Sequence, residues 1–366
     1  MMRSRLLLSL IAFAALPGPA AAQPDAAAVF TGTVTDAETG APLPAAHVFL
    51  AATMIGTTTD AEGRFRLTGI PRGAHRLYVS MLGFEAARID TLVTEDRVFT
   101  FEVRLAPAVF EMDAITVEAK ADEKWRKRLE KFTRLFIGES PNAAGTTILN
   151  PEALDFETRW WGKLSARASE PLLIENRALG YRIRYFLKEF LATGGTIRYD
   201  GEPLFEPLEP ESPEEEARWE ANRKRTYLGS FRHFMRAALA DSLDEAGFLA
   251  YRIPTRENPE RSRVKLPLRV TSILKDGPSP EERTLRFYGF IEVIYLYEEE
   301  DEAFLRWKGV YYRRAPENQR SWLRLTDGPT SVDHDGEIVD PYGLTVYGYF
   351  AFERVADELP KEYRPK

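Results

Sequence analysis

This sequence predicts an all-β sandwich followed by an α+β domain with antiparallel sheet and a central helix pair. Three observations carry the prediction. Residues 28–105 alternate apolar and polar side chains in short runs, with turn residues at intervals of about 8–12. Between 212 and 246, two helix-period segments meet at Gly229-Ser230. On either side of that pair, from 156 to 199 and from 264 onward, the pattern returns to strands.

The 366 residues leave room for two domains. They divide into a signal peptide (1–22), a sandwich (28–105), a linker strand and amphipathic helix (106–138) and an α+β domain (139–366). Hydrophobic residues make up 44% of the chain and charged residues 29%, which suits a packed protein rather than a disordered one. A net charge of −7 argues against nucleic acid as the main partner.

Arg3 and Arg5 precede an apolar run at 6–16, and Ala20-Ala21-Ala22 offers a small-residue cleavage site, the pattern of a secretory signal peptide. That run is too short to span a bilayer, and no transmembrane segment is expected in the mature chain. The chain has no cysteine. Disulfides, thiol nucleophiles and lipidation at a mature Cys are thereby excluded. A Cys-free exported chain fits a bacterial envelope, periplasmic or associated with the outer membrane, or secreted.

Within the sandwich, Phe30, Gly32 and Val34 alternate with threonines, and residues 36–40 form a turn. Pro42-Leu43-Pro44 leads into a strand at 46–51. Thr58-Thr59-Asp60-Ala61-Glu62-Gly63-Arg64-Phe65 has the chemistry of a hairpin: an Asp to cap its own turn, a Gly for a positive φ, an aromatic to restart the strand. Leu77, Val79 and Met81 point inward, and Phe99, Phe101, Val103 and Leu105 alternate in the last strand.

Taken as a set, Gly32, Val34, Asp36, Gly40, Pro42, Leu43, Ala46 and Val48, then Thr59, Asp60, Gly63 and Phe65, then Leu67, Ile70, Pro71 and Gly73, then Val79, Ser80, Gly83 and Phe84, resemble the carboxypeptidase regulatory-like domain. The resemblance implies a transthyretin-like, seven-stranded sandwich related to carbohydrate-binding-like folds. In metallocarboxypeptidases that domain is an accessory, not the enzyme. It also opens many envelope proteins of Bacteroidota-type bacteria, and residues 112–119 are similar to the strand that follows it in TonB-dependent receptors. The rest of the chain is too short for a receptor barrel and lacks its repeated strands. The region beyond resembles an uncharacterised envelope family with no known activity.

Residues 122–137 predict an amphipathic helix, with Trp125, Leu129, Phe132 and Phe136 on one face and Glu123–Lys127 and Glu130–Arg134 spaced for ion pairs. Residues 181–187 read as a half-buried strand turning at Thr193-Gly194-Gly195-Thr196. Ser212-Pro213-Glu214-Glu215 starts a helix with a capping box, which runs to about 228. A second helix is expected to reach about 246. Strands are expected at 264–275, 284–297, 303–313, 322–325 and 344–355, with the acidic run 298–302 as a solvated hairpin tip.

The densest polar set is Asn222, Arg223, Lys224, Arg225, Tyr227, Ser230, Arg232, His233 and Arg236. The helix break at Gly229-Ser230 would free backbone N–H groups for a carboxylate, phosphate or acidic sugar. Asn222, Arg223, Tyr227, Ser230, Arg232, His233 and Arg236 are the candidate binding residues. The competing expectation is a buried ion-pair network with Glu170, Glu175 or Asp241. His334-Asp335-Gly336-Glu337 matches H-x-x-E, but its Asp-Gly is a turn dipeptide and no later His completes a zinc set. Trp160, Trp161, Tyr311 and Tyr312 could stack sugars.

No catalytic residue, metal site or cofactor is expected. A non-catalytic binding or assembly protein is, its partner an outer-membrane or periplasmic protein or a glycan. The rivals are a hydrolase or metal-dependent enzyme in the C-terminal domain, and an accessory to TonB-dependent uptake.

Overall fold

Short β-branched and aromatic runs with inward apolar alternation build the first unit. Its strands are β1 (Ala28–Asp36), β2 (His47–Leu50), β3 (Gly56–Thr58), β4 (Arg64–Ile70), β5 (Gly73–Ser80), β6 (Ala87–Val93) and β7 (Val98–Leu105). The structure, a computed structural model, describes residues 28–108, 122–159, 163–255, 257–280, 282–340 and 342–365. The proposed signal peptide and the connecting strand at 112–119 lie outside them.

Two sheets, β4-β1-β7 and β3-β2-β5-β6, enclose a core that includes Phe30, Val34, Val48, Leu67, Leu77 and Val79. Two local expectations are corrected. The 58–65 stretch keeps its turn chemistry: Asp60 Oδ1 accepts from the Glu62 and Arg64 amides at 3.0 and 2.8 Å, and Gly63 has φ +73°. But β3 pairs with β2 and β4 with β1, so the turn crosses between sheets and forms no hairpin. The sandwich is also not wholly antiparallel. β1 and β7 run parallel, from Val29 beside Val98 to Asp36 beside Leu105.

The second unit opens with helix α1 (Glu123–Phe136), whose predicted stripe packs on a sheet. Glu123 and Lys127 pair at 2.6 Å on its outer face. The sheet comprises β8 (Thr146–Ile148), β9 (Leu154–Arg159), β10 (Lys163–Ala168), β11 (Leu172–Asn176), β12 (Tyr181–Thr193) and β13 (Thr196–Pro207). β12 is long enough to pair β11 and β10 in succession along one edge and β13 along the other. Gly194 and Gly195, at φ +57° and +85°, make the two-residue turn of the β12–β13 hairpin.

Helices α2 (Pro213–Tyr227) and α3 (Phe231–Leu239) follow as the central pair. Ser212 caps α2 by accepting from the Glu215 amide, while the Glu215 carboxylate takes the Glu211 amide, outside the expected capping box. α3 stops at Leu239, short of the predicted end. The Asp241 amide bonds to Ala238 O and the Ser242 amide to Ala237 O, with Asp241 at φ +52°. That is a Schellman stop with aspartate in the position glycine usually takes.

The remainder comprises β14 (Phe248–Ile253), β15 (Leu266–Pro267), α4 (Val270–Ile273), β16 (Leu274–Asp276), β17 (Glu282–Leu285), β18 (Phe290–Glu299), α5 (Glu302–Trp307), β19 (Asn318–Leu325), β20 (Thr330–Asp333), β21 (Leu344–Gly348) and α6 (Tyr349–Phe352). They form antiparallel sheets β15-β14-β18-β19-β21 and β16-β17-β20, with α3 packed into their core. The strand expected at 303–313 begins instead as α5, capped where Asp301 accepts from the Phe304 amide at 2.8 Å. The acidic run is no solvated tip: Glu300 is buried and held by both Arg314 Nη atoms. The predicted plan of sandwich, then sheet, helix pair and sheet, is the observed one. No helix among the described residues is long and apolar enough to cross a membrane.

Candidate functional site

The structure separates the seven candidate residues into two groups. Asn222 and Arg223 sit on the side of α2 that faces the β11–β12 turn. Asn222 Nδ2 donates to Ala178 O at 2.8 Å, and Arg223 donates to Leu179 O at 2.6 Å and Gly180 O at 3.2 Å. The Arg223 guanidinium also lies over the Tyr181 ring at 4.3 Å. These bonds clamp a turn.

Tyr227, Ser230, Arg232, His233 and Arg236 do come together around the α2–α3 junction. Ser230 caps α3, accepting from the His233 amide at 3.2 Å and donating to Tyr227 O at 2.7 Å. The Gly229 amide, one of those offered to an anion, donates instead to His233 Nδ1 at 3.1 Å. Burial and the nearby Arg236 charge push His233 down to about 4, so its ring is neutral at pH 7 and can accept. Arg232 donates to the Glu337 carboxylate and to Leu359 O and Pro360 O. Arg236 pairs with Asp335 at 2.7 Å, and Arg364 reaches the same carboxylate at 2.9 Å. The acidic partners thus come from the 333–337 turn, not from Glu170, Glu175 or Asp241.

The H-x-x-E residues diverge in that turn. Glu337 holds Arg232, whereas the His334 ring packs on Gly73 of the sandwich, where an added Cβ would lie 1.9 Å from it. His75 is buried with Nε2 2.7 Å from Pro71 O, and His47 lies edge-on to Phe186. Tyr311 and Tyr312 meet edge to face, with Tyr312 95% exposed. Trp160 and Trp161 lie outside the described residues.

The sandwich is bonded into the second unit. Phe49 and Tyr78 pack with Phe186 and Leu204. Arg88 bridges to Asp200 at 2.8 Å and Arg76 to Glu202 at 3.2 Å. The loop after β2 joins the hairpin through Ala52 N to Pro203 O and Phe205 N to Thr53 O, and joins the end of the chain through Lys361 N to Ala52 O.

Two cavities open in the second unit, the smaller at this junction, and of the candidate residues Tyr227, Ser230 and Arg232 line the smaller one. One, of about 390 Å³, is walled by Ala52 and Arg76 of the sandwich, Tyr185 and Tyr199 of the hairpin, Arg232 of α3 and the 353–359 segment. The other, of about 480 Å³, lies between the end of α2, β18, β19 and α6. Thr226, Glu353 and Asp357 line both. Glu353, Asp357 and Glu358 are crowded by protein yet keep some accessible surface, because they form cavity wall. Burial raises all three: Asp357 to about 6, Glu358 to about 8, and Glu353 well above the usual carboxylate range. Burial also pushes Tyr199 up to about 12. The signal for these three acids in the sequence is their placing among Phe352, Val355, Ala356 and Leu359.

Comparison with known proteins bears on the first unit. Residues 30–117 match the CarboxypepD_reg-like domain family. That match identifies the sandwich as a regulatory-like domain and covers none of the cavity-lining residues of the second unit. No curated protein matches the chain. Among solved structures, catechol 1,2-dioxygenase from Acinetobacter sp. ADP1 is 15% identical over 27% of this chain and 58% of its own, with a TM-score of 0.22. The 5-hydroxyisourate hydrolase of Klebsiella pneumoniae is 24% identical over 22% of this chain and 91% of its own, TM-score 0.19. The major pilin subunit BcpA of Bacillus cereus is 12% identical over 22% and 30%, TM-score 0.20.

Proposed function

We propose that this is a non-catalytic binding protein of a bacterial envelope, exported to the periplasm or the outer membrane. Its regulatory-like domain serves as a fixed accessory to a binding site in the second unit. One observation carries the reading: the loop after β2 hydrogen-bonds to both the β12–β13 hairpin and the end of the chain, beside the 390 Å³ cavity. A domain held that way shapes a pocket rather than swinging free on a linker. The partner is a protein, a glycan or a small molecule of the envelope.

In-cell cross-linking of the tagged protein, read by mass spectrometry, tests this. A reproducible envelope partner, lost when Arg232 or Arg76 is replaced, is the expected result. Recovery of the protein alone, with no ligand retained after purification, would sink it. A hydrolase is the second reading, favoured by the three raised carboxyl groups facing the cavities. It requires turnover of an ester, peptide or glycoside substrate that Glu358→Gln abolishes in a folded protein.

A further inference from the structure

Helix α1 is held by one side only. Phe132 and Phe136 are wholly buried and, with Trp125 and Leu129, pack it against the sheet of the second unit. Its other side is strongly basic. The 14 residues carry Lys124, Arg126, Lys127, Arg128, Lys131 and Arg134 against Glu123 and Glu130, a net charge of +4 in a chain whose total is −7. At 3.6 residues per turn, Lys124, Lys127, Arg128, Lys131 and Arg134 fall within an arc of about 120° that holds no acid, spread along about 15 Å of the axis. Arg128 is half-buried and the other four are exposed.

The stability of the helix does not account for that arrangement. Lys124 lies in the first turn, where the macrodipole disfavours a cation. Lys124–Arg128 and Lys127–Lys131 are like charges four apart, and Lys124–Lys127, Arg128–Lys131 and Lys131–Arg134 are three apart; each spacing works against the helix. Ion pairs offset only part of this. Lys127 pairs with Glu123 at 2.6 Å, but Glu130 and Arg134, spaced to pair, do not. Lys124, Arg128 and Arg134 are in no ion pair among the described residues. The cations stand in a row on a convex surface and not around a pocket, and neither cavity includes any of them. Point charges on flexible stems, set in a row, suit a continuous layer of anionic groups in which each finds its own partner.

We infer that the basic side of α1 is a docking surface for a bilayer rich in anionic phospholipid. The contact is made by charge, without insertion of the helix, whose apolar side is already buried on the sheet. It stands apart from the cavities and from whatever they bind.

Vesicle co-sedimentation tests it, with the chain from Gln23 on, which keeps every described residue and lacks the apolar run at 6–16 that would bind lipid by itself. Vesicles containing phosphatidylglycerol should retain the protein at about 50 mM salt and release it at about 500 mM. Vesicles of phosphatidylcholine alone should not retain it. The triple variant Lys124→Glu, Arg128→Glu, Arg134→Glu should weaken binding about a hundredfold or more, since each basic residue at such a surface contributes about fivefold. If that variant fails to fold, Lys124→Gln with Arg134→Gln serves, with an expected loss of about 25-fold. No retention by the anionic vesicles overturns the inference. So does equal retention by both kinds of vesicle, retention that salt does not change, or binding that the variants leave unaltered. Capture by a soluble polyanion such as heparin, with none by vesicles, overturns it as well.

Discussion

Glu358 couples its burial to pH in a direction opposite to the usual salt-bridged carboxylate. Its ordinary value is 4.5 and its folded value about 8. Below pH 4.5 both folded and unfolded chains hold the proton. Between 4.5 and 8 the unfolded chain releases it while the folded chain keeps it, so stability falls as pH rises through that window. Asp357, raised from 3.8 to about 6, adds the same sign over a lower range. Urea midpoints should therefore drop from pH 5 to pH 8, and Glu358→Gln should flatten the slope. Equal slopes in variant and parent would refute this. Arg236 tests the network instead: its bond to Asp335 is largely buried, so Arg236→Ala should cost about 3–5 kcal/mol in chemical denaturation by stranding an acid. Arg364 also reaches Asp335 and holds the loss toward the lower end. At this scale the sequence disclosed residue types but not partners. Arg232 and Arg236 are conspicuous on α3, yet their acids lie about a hundred positions on, beyond any local pattern.

Elements were legible where period and punctuation agreed. α1 was readable because Phe132 and Phe136 recur at helical spacing and Gly138 follows; the structure buries both phenylalanines completely and gives Gly138 a φ of +107°. Phe132 touches Phe136, Phe156 and Phe190 at ring distances of 4.8–5.7 Å. Phe132→Ala should cost about 3–5 kcal/mol and speed amide exchange throughout α1; unaltered exchange there would show that the helix is held otherwise. The errors share a cause. Aspartate makes the stops and starts that the pattern does not reveal: Asp241 ends α3 short of the expected end near 246, and Asp301 begins α5 inside the acidic run 298–302. Strand partners were beyond reach for a further reason. A turn motif specifies local dihedrals, and the 58–65 turn is equally good at joining two strands of one sheet or two different sheets.

Across the whole molecule, the regulatory-like domain and the second unit share one hydrophobic patch and a pair of charged bridges. Phe186 is the centre of that patch, with ring distances of 4.7 Å to Phe49 and 5.5 Å to Tyr78. Phe186→Ala should loosen the junction: limited proteolysis should cut the 51–55 loop faster, while the β12–β13 hairpin stays protected. Simultaneous loss of both would mean the two units unfold as one. The 390 Å³ cavity depends on this junction, which is why its full wall is not legible in the sequence. Its wall combines residues 52 and 76 with residues 185–232 and 353–359, positions that meet only once the sandwich has docked.

The parallel pairing of β1 with β7 has a mechanical corollary. Because the two strands point the same way, the chain enters the sandwich at one pole and leaves at the other, separated by about 25 Å for strands of this length. A pull between residues 28 and 105 would act along the ladder, loading its rungs together in shear instead of peeling them one by one. The first unit is thus built to bear tension in line with the polypeptide.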